Sequence, residues 1–135
     1  LYTTQAASDE IVAACELPAI AAGQRHDFSE LARRHGDYAI AGLAAVATRL
    51  DADDRAAPRL GDVRLAFFAV ADRPVRARRA EALLGGALVD DDLLDAAAKS
   101  LVEEIDMVAD LTHSRVAKQH LATVLMRRAI RRLCA

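Results

Sequence analysis

The sequence predicts an α+β domain, a three-stranded antiparallel sheet with three helices packed on one face. Strand-like apolar segments fill the first half of the chain and helical periodicity fills the second, an order that segregates helices to one side of an antiparallel sheet. At 135 residues the chain has room for one sizeable core and not for two. Residues 1–135 are therefore read as a single domain. Its 53% hydrophobic and 28% charged residues lie far from the polar, highly charged balance of a disordered chain. Alanine is abundant and aromatics reach only 4%, so the core is expected to rest on close backbone approach.

The first strand is expected at residues 9–17. There Ile11, Ala13, Cys15 and Leu17 alternate with Val12, Ala14 and Glu16, and Pro18 ends ladder pairing. Residues 19–27 read as a connection, and residues 28–33 as a short strand or one helical turn. The apolar run at 37–50 sets Tyr38, Ile40, Gly42, Ala44, Val46, Thr48 and Leu50 on one face of a second strand. So much alanine suits a helix equally, but the acidic segment 51–55 followed by Pro58 and Gly61 favours a strand, a long acidic loop and a third strand at 63–70.

Pro74 closes that strand. A short helix at 77–84 then stops at Gly85-Gly86, whose backbone freedom suits a C-cap. Asp90, Asp91 and Asp92 mark the start of a second helix, where carboxylates accept from free N–H groups. Its apolar face is Leu94, Ala97, Ala98, Leu101, Val102, Ile105 and Val108. The last helix spans about 114–133, with Ala117, Leu121, Val124, Leu125 and Ile130 inward. Arg115, Lys118, Arg127, Arg128, Arg131 and Arg132 read as mostly outward, gathered where the macrodipole favours cations.

Several chemistries are disfavoured. A net charge of −2 gives no bulk attraction to nucleic acid or anionic membrane. Cys15 and Cys134 form no CxxC pair, and the expected compartment is the reducing cytoplasm. No apolar run approaches the roughly 20 residues that span a bilayer. His26, His35, His113 and His120 fall into no HExxH pattern. There is no GxSxG elbow, no GxGxxG and no phosphate-binding GxxxxGK[ST]. What remains is the segment Arg33-Arg34-His35-Gly36-Asp37-Tyr38-Ala39. Its glycine permits a tight turn that holds a polar pair and one aromatic ring at the mouth of a sheet. The plain alternative is a strand-entry turn with Tyr38 packed on that sheet.

That segment, together with Pro74-Val75-Arg76-Ala77 and the Arg127-Arg128-Ala129-Ile130 end of the last helix, resembles the C-terminal domain of the FAD-binding medium subunit of molybdenum hydroxylases, the carbon monoxide dehydrogenase and xanthine dehydrogenase family. The resemblance covers almost the whole chain. It implies a domain that closes over the isoalloxazine of FAD, with Asp37 and Tyr38 beside the ring and Arg34 a further candidate. It also implies iron–sulfur and molybdenum subunits as partners, and FAD held mainly by upstream Gly-rich segments that these residues do not contain. The opening residue, Leu1 rather than Met, fits a sequence that continues upstream. Alone, the chain is expected not to be catalytic.

Two positions depart from the family pattern: Phe68-Ala69 stands where relatives often carry Gly-Gly, and Ile40 stands where some carry lysine. A second expectation, of a different class, is a non-enzymatic interaction module derived from that domain, with Phe67 and Phe68 as apolar contacts and self-association as one outcome.

Overall fold

The computed structural model describes residues 4–50 and 58–135. Four strands, β1 (Gln24–Leu31), β2 (Ala41–Arg49), β3 (Leu60–Phe68) and β4 (Val75–Arg76), precede three helices, α1 (Arg78–Leu84), α2 (Asp91–Glu104) and α3 (Arg115–Cys134). The sheet is antiparallel in the order β1-β2-β3-β4. The α+β class and the three helices match the sequence expectation. The strand count does not, because two residues after Pro74 pair with β3 through Ala66↔Arg76 and Phe67↔Val75.

The first strand is also elsewhere. Residues 9–17 belong to no strand of this sheet, and Ile11, Val12 and Leu17 are almost fully exposed. The true first strand, β1, lies in the stretch read as a connection and an undecided piece. Its sequence hides it: the positions facing the helices include Asp27 and Ser29, so no apolar period of two marks them. Arg132 of α3 compensates by donating to both Asp27 oxygens, at 2.6 and 2.8 Å, and to Ser29 Oγ at 2.6 Å. The acidic loop foreseen at 51–55 lies outside the described residues.

Alternation in β2 and β3 builds the core. Ala41, Leu43, Ala45 and Ala47 of β2 and Leu60, Val63, Leu65 and Phe67 of β3 are buried, with Leu43 opposite Phe67 and Ala45 opposite Leu65. The alanines let α3 approach closely, and its own buried face includes Ala122 and Ala129 beside Leu125, Met126, Ile130 and Leu133. Helix α1 packs on β3 and α3 on β1, β2 and β3, while α2 rests on α1 and α3. The two long helices start as their sequences imply, since Asp90 Oδ1 accepts from Leu93 N–H at 2.8 Å and Ser114 Oγ from Ala117 N–H at 3.1 Å. Arg127 and Arg131 reach across to Asp95 and Asp91 of α2.

The remaining face of the sheet carries Phe28 and Phe68, stacked with ring centroids 5.5 Å apart. Phe68 lies over Gly42, its partner across the ladder. A Cβ at Gly42 would stand 2.0 Å from the ring, so here the glycine is required by contact. Phe67, by contrast, points into the core and is fully buried. Ala69 follows with φ +62°, a left-handed conformation that glycine adopts freely and alanine does not. Ala69→Gly is therefore expected to raise stability by about 1 kcal/mol, read as a higher midpoint in urea unfolding.

One ion pair, with its carboxylate buried and its guanidinium at the surface, joins three elements. Glu81 of α1 accepts from Arg76 Nε and Nη2 of β4, both at 2.6 Å, and from Leu65 N–H of β3 at 2.8 Å. Burial by itself raises the Glu81 carboxyl, but the hydrogen bonds from Arg76 and Leu65 outweigh it and leave the group below its ordinary value. A lowered value in the folded state means that the contribution is complete above the unfolded value of about 4.3 and lost as pH falls through the folded one. Glu81→Gln should thus destabilise the chain by about 1–3 kcal/mol at neutral pH. In unfolding measured from pH 7 down to 3, the gap from the unsubstituted chain should narrow on the acid side.

Candidate functional site

The turn joining β1 to β2 is set by its backbone. Ile40 N–H donates to Leu31 C=O at 2.7 Å and closes the loop, while Asp37 N–H donates to Arg34 C=O at 3.1 Å and forms a four-residue turn. Gly36 takes φ +87° at the third position of that turn, where a positive φ is needed and glycine supplies it. Asp37 and Tyr38 are therefore fixed just ahead of β2 rather than within it.

The three residues singled out from the sequence behave differently. Tyr38 is 99% exposed, so it does not pack on the sheet. Arg34 projects into solvent, with Nε 3.6 Å from Asp37 Oδ2. That Asp37 oxygen is shielded from solvent and accepts no hydrogen bond among the described residues, which leaves an acceptor in want of a donor.

Arg33, Gly36, Asp37, Tyr38, Ala39 and Ile40 form one wall of a surface recess of about 340 Å³, and Asp110, Thr112 and His113 form the other. The second wall was not foreseen. Asp110 organises it: Oδ1 accepts from Thr112 N–H at 2.8 Å, Thr112 Oγ1 at 3.0 Å and His113 N–H at 2.8 Å. Thr112 Oγ1 lies 2.8 Å from His113 Nδ1. The signal was present in the polar string Asp110-Leu111-Thr112-His113-Ser114 ahead of a helix, the composition of an aspartate turn followed by a cap.

Lys118, expected to face outward, is buried. Its Nζ donates to Asp110 Oδ2 at 2.9 Å and to Ala69 C=O at 2.9 Å. The Lys118 ammonium, followed by the Thr112 and His113 N–H groups, holds the Asp110 carboxyl far below the usual carboxylate range. The ionised form of Asp110 is thus the favoured one, and it is the form that accepts these hydrogen bonds. Among the described residues no cluster of His, Cys, Asp and Glu has the makings of a metal site. The recess is a polar cleft of about 340 Å³ with one aromatic ring at its rim.

A four-stranded antiparallel sheet backed by three helices, with a polar cleft at the end of β1, defines the α+β class of this domain. Residues 26–133 match the model of the CO dehydrogenase flavoprotein C-terminal domain, and the chain belongs to that family. It is 30% identical to the nicotine 6-hydroxylase medium subunit of Paenarthrobacter nicotinovorans over 129 residues, 96% of this chain and 43% of that subunit. It is 28% identical to the glyceraldehyde dehydrogenase medium chain of Sulfolobus acidocaldarius, again over 96% of this chain and 44% of the relative. Among solved structures, carbon monoxide dehydrogenase from Hydrogenophaga pseudoflava aligns with TM-score 0.74 and 30% identity, over 88% of this chain and 40% of that one. The chain spans less than half the length of these relatives. The kinship read from the sequence is confirmed. No helix among the described residues is long and apolar enough to cross a membrane.

Lys118→Met, which keeps the stem and removes the ammonium, should loosen the Asp110 wall first. Hydrogen exchange at the Thr112 and His113 amides is expected to accelerate by on the order of tenfold, the effect of losing a charge-assisted hydrogen bond from a locally opening loop.

Proposed function

We propose that this chain is the C-terminal domain of an FAD-carrying medium subunit of a molybdenum hydroxylase, and that its cleft closes over the flavin. The observation that carries the reading is the Asp37 carboxylate, 35% exposed and within 3.6 Å of Arg34 Nε, beside an exposed Tyr38 ring in a chain of the flavoprotein family. These residues fit a flavin edge: Asp37 would accept a hydrogen bond from a ring N–H, Tyr38 would lie against the apolar part of the ring, and Arg34 would add a cation at the rim. The recess accommodates only part of an FAD. The rest of the dinucleotide falls to the upstream Gly-rich segments.

Flavin, when bound, would supply the redox chemistry between the iron–sulfur clusters reduced by a molybdenum centre and an outside acceptor. The domain's own contribution is to orient, to exclude water and to fix charge. Asp37 near the ring would disfavour added negative charge there, whereas Arg34 would favour it. The partners on this reading are the upstream portion of the subunit and the iron–sulfur and molybdenum subunits, in the cytoplasm, with no role for nucleic acid.

In a subunit joining these residues to the flavin-binding portion, Tyr38→Ala should change the flavin fluorescence yield and shift its absorption maximum while FAD is retained. An unchanged spectrum would count decisively against a place for Tyr38 at the ring. A second reading, an interaction module without cofactor, draws on Phe28, 65% exposed on the open sheet face. It requires self-association or a copurifying partner in sedimentation at micromolar concentration, and a strict monomer removes its support.

A further inference from the structure

Residues 9–17 carry the sequence of a strand and have no sheet in this domain. Ile11, Ala13, Cys15 and Leu17 would make one face of an extended chain wholly apolar, while Val12 and Ala14 make the other apolar up to Glu16 near its end, close to the pattern of a strand covered on both sides. Yet Ile11 is 89%, Val12 79% and Leu17 87% exposed. Among the described residues the backbone of 11–20 makes no hydrogen bond: Glu10 N–H bonds to Ala7 C=O, and the next contact is that of Gln24 N–H with Ala21 C=O. Exposed apolar residues on unpaired backbone of this kind suit a strand awaiting a ladder.

Two further observations say where the ladder is. The family domain begins only at residue 26, so the segment lies outside it. The alignment with the nicotine 6-hydroxylase medium subunit nevertheless covers 129 of the 135 residues, which leaves out at most six and therefore includes 9–17. The segment is shared with longer medium subunits but is no part of their C-terminal domain.

We propose that residues 11–17 are a strand of a β-sheet in the upstream portion of the medium subunit, so that the chain crosses into its neighbour's core before entering its own domain. The proposal rests on the reading of the chain as a C-terminal domain. Its occupant is one kind of surface, the edge or gap of a sheet that offers free N–H and C=O groups between apolar faces. Pro18 marks the crossing point, since it cannot continue the ladder.

Hydrogen exchange tests this in the 135-residue chain and in the subunit that joins it to the upstream portion. Alone, the amides of Val12 to Leu17 should exchange near the rate of an unstructured peptide. In the joined subunit, consecutive amides should slow by at least about 100-fold. Ala14→Pro should leave the unfolding midpoint of the chain alone unchanged, because the segment lies outside its core, and should abolish the protection in the joined subunit. Unprotected amides in a joined subunit that retains FAD would overturn the strand assignment while leaving the flavin reading intact. Protected amides in a joined subunit that binds no FAD would support the strand and overturn the flavin reading. A lowered midpoint for Ala14→Pro in the chain alone would also count against the strand, by placing the segment in this domain's own core.

Discussion

The buried ammonium of Lys118 is the contact on which the shape of the cleft depends. It links the helical layer to the sheet by holding Ala69 C=O at the end of β3, and links both to the Asp110 loop by holding Asp110 Oδ2. A lysine so little exposed is tolerated only because it is paired and hydrogen-bonded. Once it is in place, Asp110 gathers the Thr112 and His113 amides, and the wall facing Asp37 and Tyr38 is built. A cleft assembled from two loops, one after β1 and one before α3, thereby acquires the rigidity of the core beneath it.

The same logic recurs along the other edge. Glu81 lies under the ladder and takes the Leu65 N–H while receiving both donors from Arg76, so α1, β3 and the short β4 are registered by one carboxylate. Asp27 and Arg132 perform the equivalent task between β1 and α3. The alanines of β2 and α3 interleave with larger buried side chains such as Leu43, Leu125 and Ile130, and they give close contact but little directional information. Three charged pairs at the margins fix where each layer sits on the next, which suits a core that would otherwise slide.

This division explains what could be read from the sequence. β2, β3 and the presence of all three helices were legible from simple apolar periods, and Asp90 stands where a cap is wanted. The buried face of α3, however, is turned from the expected one, with Ala122, Met126, Ala129 and Leu133 inward and Ala117, Leu121 and Val124 only partly covered, and Val108 lies exposed beyond the end of α2. β1 was not, since its inward Asp27 and Ser29 are solvated by an arginine more than a hundred residues away in sequence, a pairing invisible to local pattern. Lys118 was misjudged for a related reason: a cation on a helix is ordinarily outward, and only the Ala69 carbonyl and the Asp110 loop make burial favourable. Half of the cleft was visible, in the segment from Arg33 to Ala39, because a glycine in a polar turn before an apolar run has a local meaning. The other half depended on the fold that brings residues 110–113 opposite it.

The packing of Phe68 over Gly42 ties substitution at one position to the other. With the ring where it is, no side chain at position 42 can be accommodated. The two positions are therefore bound to one another across the ladder. A larger residue at 42 would have to turn the Phe68 ring off the sheet and so break its stack on Phe28, which makes the aromatic pair on the open face and the glycine beneath it a single unit.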